Sequence, residues 1–201
     1  MLNELLKRYP SLCECKNDIL SAEKALIELY ENGGKLLICG NGGSCADSEH
    51  IAGELMKGFL KKRPLSEGDR AGLDPEVADK LQNGLPCIPL TSFSALNTAF
   101  CNDVEPELVF AQPLWVLGDG GDMLIAISTS GNSKNVVAAA KVAKAKGMTV
   151  IALTGKSGGL LRDIADITIA VPESETFKVQ ELHLPTYHYL CAKVEAHFYE
   201  V

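Results

Sequence analysis

Apolar residues recur along this chain at two spacings, and the change from one to the other divides it into elements. Leu12, Ile19, Ala22, Leu26 and Leu29 fall near the helical period, and Gly33-Gly34 ends the run, so an amphipathic helix is expected between residues 11 and 32. Leu2, Leu5 and Leu6 predict another turn or two before Pro10, with apolar surface to place against a second subunit or its own domain. At Lys35 the pattern changes: KLLICGNGGSCADSEHIAGE runs from a short apolar stretch, read as a strand, into a glycine-rich bend and then a helix expected over Ala46 to Phe59. The next segment, KKRPLSEGDRAGLDPEVADKLQNGLP, interrupts the alternation. Within it Asp74 as N-cap, Pro75 at the first helical position and Gly84 beyond the end predict a short helix at 75–83.

Cys87 to Leu90 reads as a second strand, which Pro89 argues against placing centrally, and Ser94 to Cys101 as a short helix. The second half is more regular. Strands are expected at 123–127, 149–153 and 167–171, an alanine-rich helix at 135–146 closed by Gly147, a short helical stretch ending at Ile164, and a long helix from Lys178 onward. Continuous apolar strands separated by helices make this an α/β chain with a parallel sheet covered on both faces. The 201 residues, 46% of them hydrophobic, suffice for one domain with its own core. That domain is expected to span 1–201, with an N-terminal helical segment (1–33) and an inserted excursion at about 64–86.

Charge removes one class of partner. A formal net charge of -7 and no clustered basic face argue against nucleic acid as a direct ligand, and Lys61-Lys62-Arg63 reads as solvated surface. No apolar run is long enough to span a membrane, and the start lacks a secretory pattern. The seven cysteines are odd in number and sit mostly in apolar or helical segments, which predicts reduced thiols and a cytoplasmic location. Cys13 and Cys15 are too close for a zinc knuckle and lack a second pair.

In a parallel sheet the ligand crevice lies beyond the carboxyl ends of the strands. Three loops leave strands there: Gly40 to Ser44, Ser128 to Ser133 and Thr154 to Gly159. The middle one is the strongest phosphate candidate, because its hydroxyls can donate to phosphate oxygens, Gly131 permits close backbone approach and the next helix N-terminus favours an anion. Neither nucleotide fingerprint is present, so a small sugar phosphate is the better fit. His50 and Glu54, four residues apart, share one helix face in a manner suited to metal binding or acid/base work. On the last helix Gln180, His183 and His188 interrupt an apolar segment, and spacing alone does not choose between the two histidines; His197 reads as surface.

These residues together resemble a known family. CGNGGS followed by His50 and Glu54, ISTSGNS at 127–133, LTGKSGG at 153–159 and VQELH at 179–183 with His188 resemble the sugar isomerase (SIS) family, and within it the phosphoheptose isomerases. The resemblance covers residues from about 15 to the end. It implies a doubly wound, flavodoxin-like five-stranded parallel sheet, assembled as a homotetramer with active sites between subunits. It also implies conversion of sedoheptulose 7-phosphate to D-glycero-D-manno-heptose 7-phosphate through an enediol. Carried over, Ser128, Thr129, Ser130 and Ser133 hold the phosphate, Asn41, Gly42 and Ser44 complete the pocket, and Asn102-Asp103 lies near the sugar. His50, Glu54, Gln180 and His188 match the residues that bind one zinc per site, Gln180 also facing substrate, while Glu54 and His188 match the catalytic pair. Two departures bear on the pocket: residues 64–86 are longer than the corresponding connection in many members, and Pro185 interrupts the last helix between Gln180 and His188. Other SIS proteins are non-catalytic, binding a sugar phosphate or a replication-initiator-type partner without equivalents of Glu54 and His188. The presence of both residues here favours an enzyme.

Overall fold

The structure, a computed structural model, describes residues 1–199. Five strands form one parallel sheet in the order β2-β1-β3-β4-β5: β1 (Leu36–Gly40), β2 (Cys87–Pro89), β3 (Met123–Ser128), β4 (Thr149–Thr154) and β5 (Ile167–Ala170). This is the flavodoxin-like order, and its topological switch point falls between β1 and β3. The three central strands are buried almost throughout because helices cover both faces. β2 is an edge strand, the position that Pro89, without an amide proton, permits.

On one face lie α1 (Leu2–Arg8), a 3-10 turn at Pro10–Cys15, α2 (Lys16–Glu31), α3 (Gly43–Met56) and α10 (Thr176–Phe198). Their apolar positions pack on Leu36, Ile38, Met123, Ile125, Ile127, Ile151 and Leu153. The excursion contributes two single-turn helices, α4 (Glu67–Arg70) and α5 (Pro75–Ala78), followed beyond β2 by α6 (Ser94–Asp103). The other face carries α7 (Ala111–Leu117), α8 (Lys134–Ala145) and α9 (Gly159–Ile164), which meet the alternate strand residues Leu37, Leu124, Ala126, Val150 and Ala152.

Several expectations are corrected here. The helix read at 75–83 is only Pro75–Ala78, capped by the Asp74 carboxylate, because little beyond Ala78 is buried to sustain it. The helix at 111–117 was not anticipated, since the run before Gly118 is short and carries Pro113. Residues 10–15 wind as a 3-10 turn before α2, with proline at its start. α3 begins at Gly43, three residues early, because Gly42 takes a positive φ of 56° and turns the chain directly into the helix.

Arg63 is the largest correction to the charge reading: it is 1% exposed. Its Nε donates to the Glu195 carboxylate at 2.9 Å, and its other nitrogens donate to the carbonyls of Leu55 (2.6 Å) and Glu54 (3.2 Å) in the last turn of α3. Glu195 also accepts from the backbone N–H groups of Phe59 (2.8 Å) and Leu60 (2.7 Å). One buried ion pair therefore ties the end of α3 to the last turn of α10. Pro185 leaves α10 continuous through 23 residues.

Candidate active site

Two groups of side chains gather at the carboxyl end of the sheet around the switch point. The first is the loop between β3 and α8. Ser128 ends a strand and is 3% exposed; its Oγ lies 2.9 Å from Ser133 Oγ and 3.5 Å from Ser130 Oγ. Three hydroxyls thus converge at the N-terminus of a twelve-residue helix, whose free N–H groups and dipole favour an anion. Gly131 has a φ of 69°, and a Cβ there would stand 1.9 Å from the Gly158 carbonyl oxygen, so the loop tolerates no side chain at that point. The half-buried Thr129 contributes its carbonyl, which accepts from Gly155 N–H at 2.9 Å.

The third loop, Thr154 to Gly159, is therefore a buttress. Gly155 bonds the Thr129 carbonyl, Lys156 N–H bonds Glu173 O at 2.8 Å, and Leu161 N–H bonds Gly131 O at 3.1 Å. Its phosphate-like composition serves close packing against the serine loop. On the other side Asn41, exposed at the end of β1, pairs amide to amide with Asn135 at 2.9 Å and closes the gap between the β1 and β3 loops. Ser44 is buried within the first turn of α3. Asn102 donates to Asp103 at 2.7 Å; α6, which carries both, has no buried residue, and neither side chain bonds to the serine loop or to the histidines.

The second group lies between α3 and α10. His50 Nε2 is 3.1 Å from Glu54 Oε1 and 3.4 Å from His188 Nε2. The other Glu54 oxygen faces Lys57 Nζ at 3.2 Å. The two histidines of α10 are placed differently. His183 is fully buried on the opposite side, its Nε2 bonded to the Thr154 carbonyl at 3.2 Å and its Nδ1 without a partner, and burial pulls its pKa down to about 4. His188 is only partly buried; burial lowers its pKa and neighbouring His50 lowers it further, while Glu54 opposes both. Gln180 lies over the first glycine bend, its amide against Gly43, where an added Cβ would meet Nε2 at 2.4 Å.

Two residues beside this cluster were not identified from sequence. The Tyr187 hydroxyl donates to Asp47 Oδ1 at 3.1 Å and lies 3.0 Å from His50 Nδ1. Burial raises the Asp47 pKa, and the Tyr187 bond and His50 pull it back. Asp47 stands one turn before His50, a spacing that could have flagged it; nothing in the sequence around Tyr187 could have.

Two imidazole nitrogens and a carboxylate oxygen are the donor set zinc prefers, and ligand atoms about 2.0–2.1 Å from a tetrahedral ion stand about 3.3 Å from one another. The two separations that meet at His50 Nε2 are of that size, so the donor types suit a divalent cation. Among the described residues, no three His, Cys, Asp or Glu side chains stand together closely enough to hold a metal ion.

Comparison with known proteins gives one consistent result. The family model described as SIS domain matches residues 3–83 and 82–155. The chain is similar to a phosphoheptose isomerase of Roseiflexus sp. (strain RS-1), 40% identical over 182 residues that cover 90% of this chain and 83% of that one. It is also similar to a phosphoheptose isomerase of Aneurinibacillus thermoaerophilus, 38% identical over 205 residues that cover 96% and 94% of the two chains. Among solved structures it resembles a phosphoheptose isomerase from Francisella tularensis, with a TM-score of 0.76 and 32% identity over 96% of this chain and 97% of that one.

Proposed function

The chain belongs to the SIS domain family and within it to the phosphoheptose isomerases, and from that premise we propose that it converts sedoheptulose 7-phosphate to D-glycero-D-manno-heptose 7-phosphate with Glu54 and His188 as the proton-transfer pair. The observation that carries this assignment is their meeting, from separate helices, at His50 Nε2 beside the serine loop.

Ketose-to-aldose isomerisation removes a proton from C1, passes through an enediol and returns a proton at C2. It needs a base, an acid and stabilisation of negative charge on oxygen. Ser128, Ser130, Ser133 and Thr129, with the N-terminus of α8, hold the phosphate, and Asn41, Gly42 and Ser44 border it on the β1 side. That grip sets C1 and C2 toward the space between α3 and α10. Glu54 takes the C1 proton. His188, kept neutral at pH 7 by its burial and by His50, moves the proton at oxygen or C2. Zinc is the cofactor of this reading, held by His50, Glu54 and His188 with Gln180 as the remaining candidate, and when bound it supplies positive charge to the substrate oxygens as a Lewis acid.

A homo-oligomer, and a tetramer in particular, completes the proposal. An apolar groove of about 470 Å³ lined by Leu5, Tyr9, Phe59, Leu184 and His188 opens beside the proton-transfer pair, and the exposed Asn102-Asp103 pair is free to serve another subunit's site. Among the described residues no helix is long and apolar enough to cross a membrane, and all seven cysteines are free, which supports the cytoplasm as the location.

The test is turnover of sedoheptulose 7-phosphate by purified protein with and without a chelator, alongside light scattering for subunit number. Turnover that the chelator suppresses and zinc restores is expected. No turnover, together with tight binding to a protein partner, would replace the enzyme by a non-catalytic SIS protein.

A further inference from the structure

Tyr187 has no part in the proton transfers above, yet its hydroxyl reaches two polar side chains of α3. It is 2% exposed and lies 3.1 Å from Asp47 Oδ1 and 3.0 Å from His50 Nδ1. Its ring meets that of His50 edge to face, with centroids 5.4 Å apart.

Counting protons limits the directions these bonds can take. The Asp47 carboxylate can only accept; the hydroxyl has one proton to give; a neutral imidazole has one N–H to place on either nitrogen. If the His50 proton sat on Nε2, bonded to Glu54, Nδ1 would need the Tyr187 proton, and Asp47 Oδ1 would face the phenol oxygen with no hydrogen between them. Asp47 Oδ2 is already buried without a partner, so that arrangement strands both oxygens of one carboxylate. In the alternative, Tyr187 donates to Asp47 and accepts from His50 Nδ1–H, and the mismatch moves to Nε2, whose lone pair faces Glu54 Oε1 at 3.1 Å as two acceptors that a cation would bring together. We propose that Tyr187, oriented by Asp47, is a positioning residue that keeps the proton of neutral His50 on Nδ1 and leaves the Nε2 lone pair open toward Glu54 and His188 for a divalent cation. This rests on the placement of His50 in the cation-binding set. It adds a specific device: the ligand nitrogen is freed by a hydroxyl from the opposite helix, in the way outer hydrogen-bond partners orient metal-bound imidazoles generally.

Tyr187→Phe keeps the ring and removes only the hydroxyl. Glu54 Oε1 and His188 Nε2, both facing Nε2, are then the acceptors left in reach of the His50 proton, so the neutral imidazole should switch to Nε2–H. The experiment is long-range proton–nitrogen correlation on metal-free protein with nitrogen-labelled histidine, above pH 8 where an ordinary imidazole is neutral. Zinc affinity is measured in parallel by competition with a chromogenic chelator. Wild type should show the proton on Nδ1; Tyr187→Phe should show it on Nε2 and bind zinc about 10- to 100-fold more weakly, with cooperative melting retained. Asp47→Asn, which replaces the obligate acceptor by an amide that can also donate, should give both tautomers and an intermediate loss. The proposal is overturned if wild-type His50 carries its proton on Nε2, if wild type binds no zinc, or if both variants keep wild-type tautomer and affinity. Should Tyr187→Phe fail to fold, the wild-type spectrum and Asp47→Asn decide. An Nδ1–H His50 and zinc binding in a protein inert toward sedoheptulose 7-phosphate would sink the functional reading alone; an active enzyme with Nε2–H would sink the relay alone.

Discussion

The serine loop and the cluster of His50, Glu54 and His188 are neighbours in the crevice but are assembled in opposite ways. Ser128 to Ser133 are consecutive residues that bond to one another, on a bend fixed by a buried strand end and a helix start. His50 and His188 lie 138 positions apart and meet only because α3 and α10 pack over the same strands. A local site takes its geometry from the backbone; a distant one takes it from the core. The loop should therefore respond to changes in its own residues, whereas the cluster should also respond to changes well outside the crevice.

The sharpest division should appear in kinetics. Glu54→Gln is expected to lower kcat by about 10²–10⁴-fold with KM within a few-fold of wild type, since it removes proton transfer and leaves phosphate binding intact. Near-normal kcat would end the assignment of Glu54 as base.

Arg63→Leu tests the dependence of the cluster on distant packing. It leaves the buried Glu195 carboxylate without its counter-charge and removes the bonds to the Glu54 and Leu55 carbonyls of α3, so a loss of about 3–5 kcal/mol is expected in urea denaturation. Conditions that keep the variant folded should show a fall in kcat with phosphate affinity retained. A loss confined to KM would contradict the comparison.

His183 joins the two regions, because it ties α10 to the carbonyl of Thr154, which is in register with Ser128. Its folded pKa of about 4 lies below the ordinary 6.5. The unfolded chain therefore binds a proton that the folded one refuses as pH falls from 6.5 to 4. Stability should decline over that window by up to about 3 kcal/mol and flatten below it. His183→Gln should remove this part of the slope; urea midpoints at pH 7 and pH 4 are the measurement, and an unchanged slope would assign acid sensitivity elsewhere.

The smallest effect belongs to the loop. Ser128→Ala removes one hydroxyl from a charged ligand, a loss of about 1.5–3 kcal/mol, and should raise KM about 10- to 100-fold while leaving kcat nearly unaltered. If Ser128→Ala lowers kcat as Glu54→Gln does, the two regions act as one unit.

Periodicity and punctuation were enough to read the five strands, the long final helix and the serine loop, because each depends on residues close together in the chain. The same signals marked His50 and Glu54 as a pair, since a helix brings positions four apart onto one face. Tertiary structure decided the rest. Only the packing of α10 shows that His183 points into the core and His188 toward His50, because both interrupt the same apolar pattern. Only the approach of that helix to α3 makes Tyr187 and Asp47 a relay, and only the burial of Glu195 draws Arg63 out of a basic run into the interior. The physical reason is common to all three: the partner is far away in sequence, and what a polar side chain does there is set by which unpaired group the fold brings within hydrogen-bond reach.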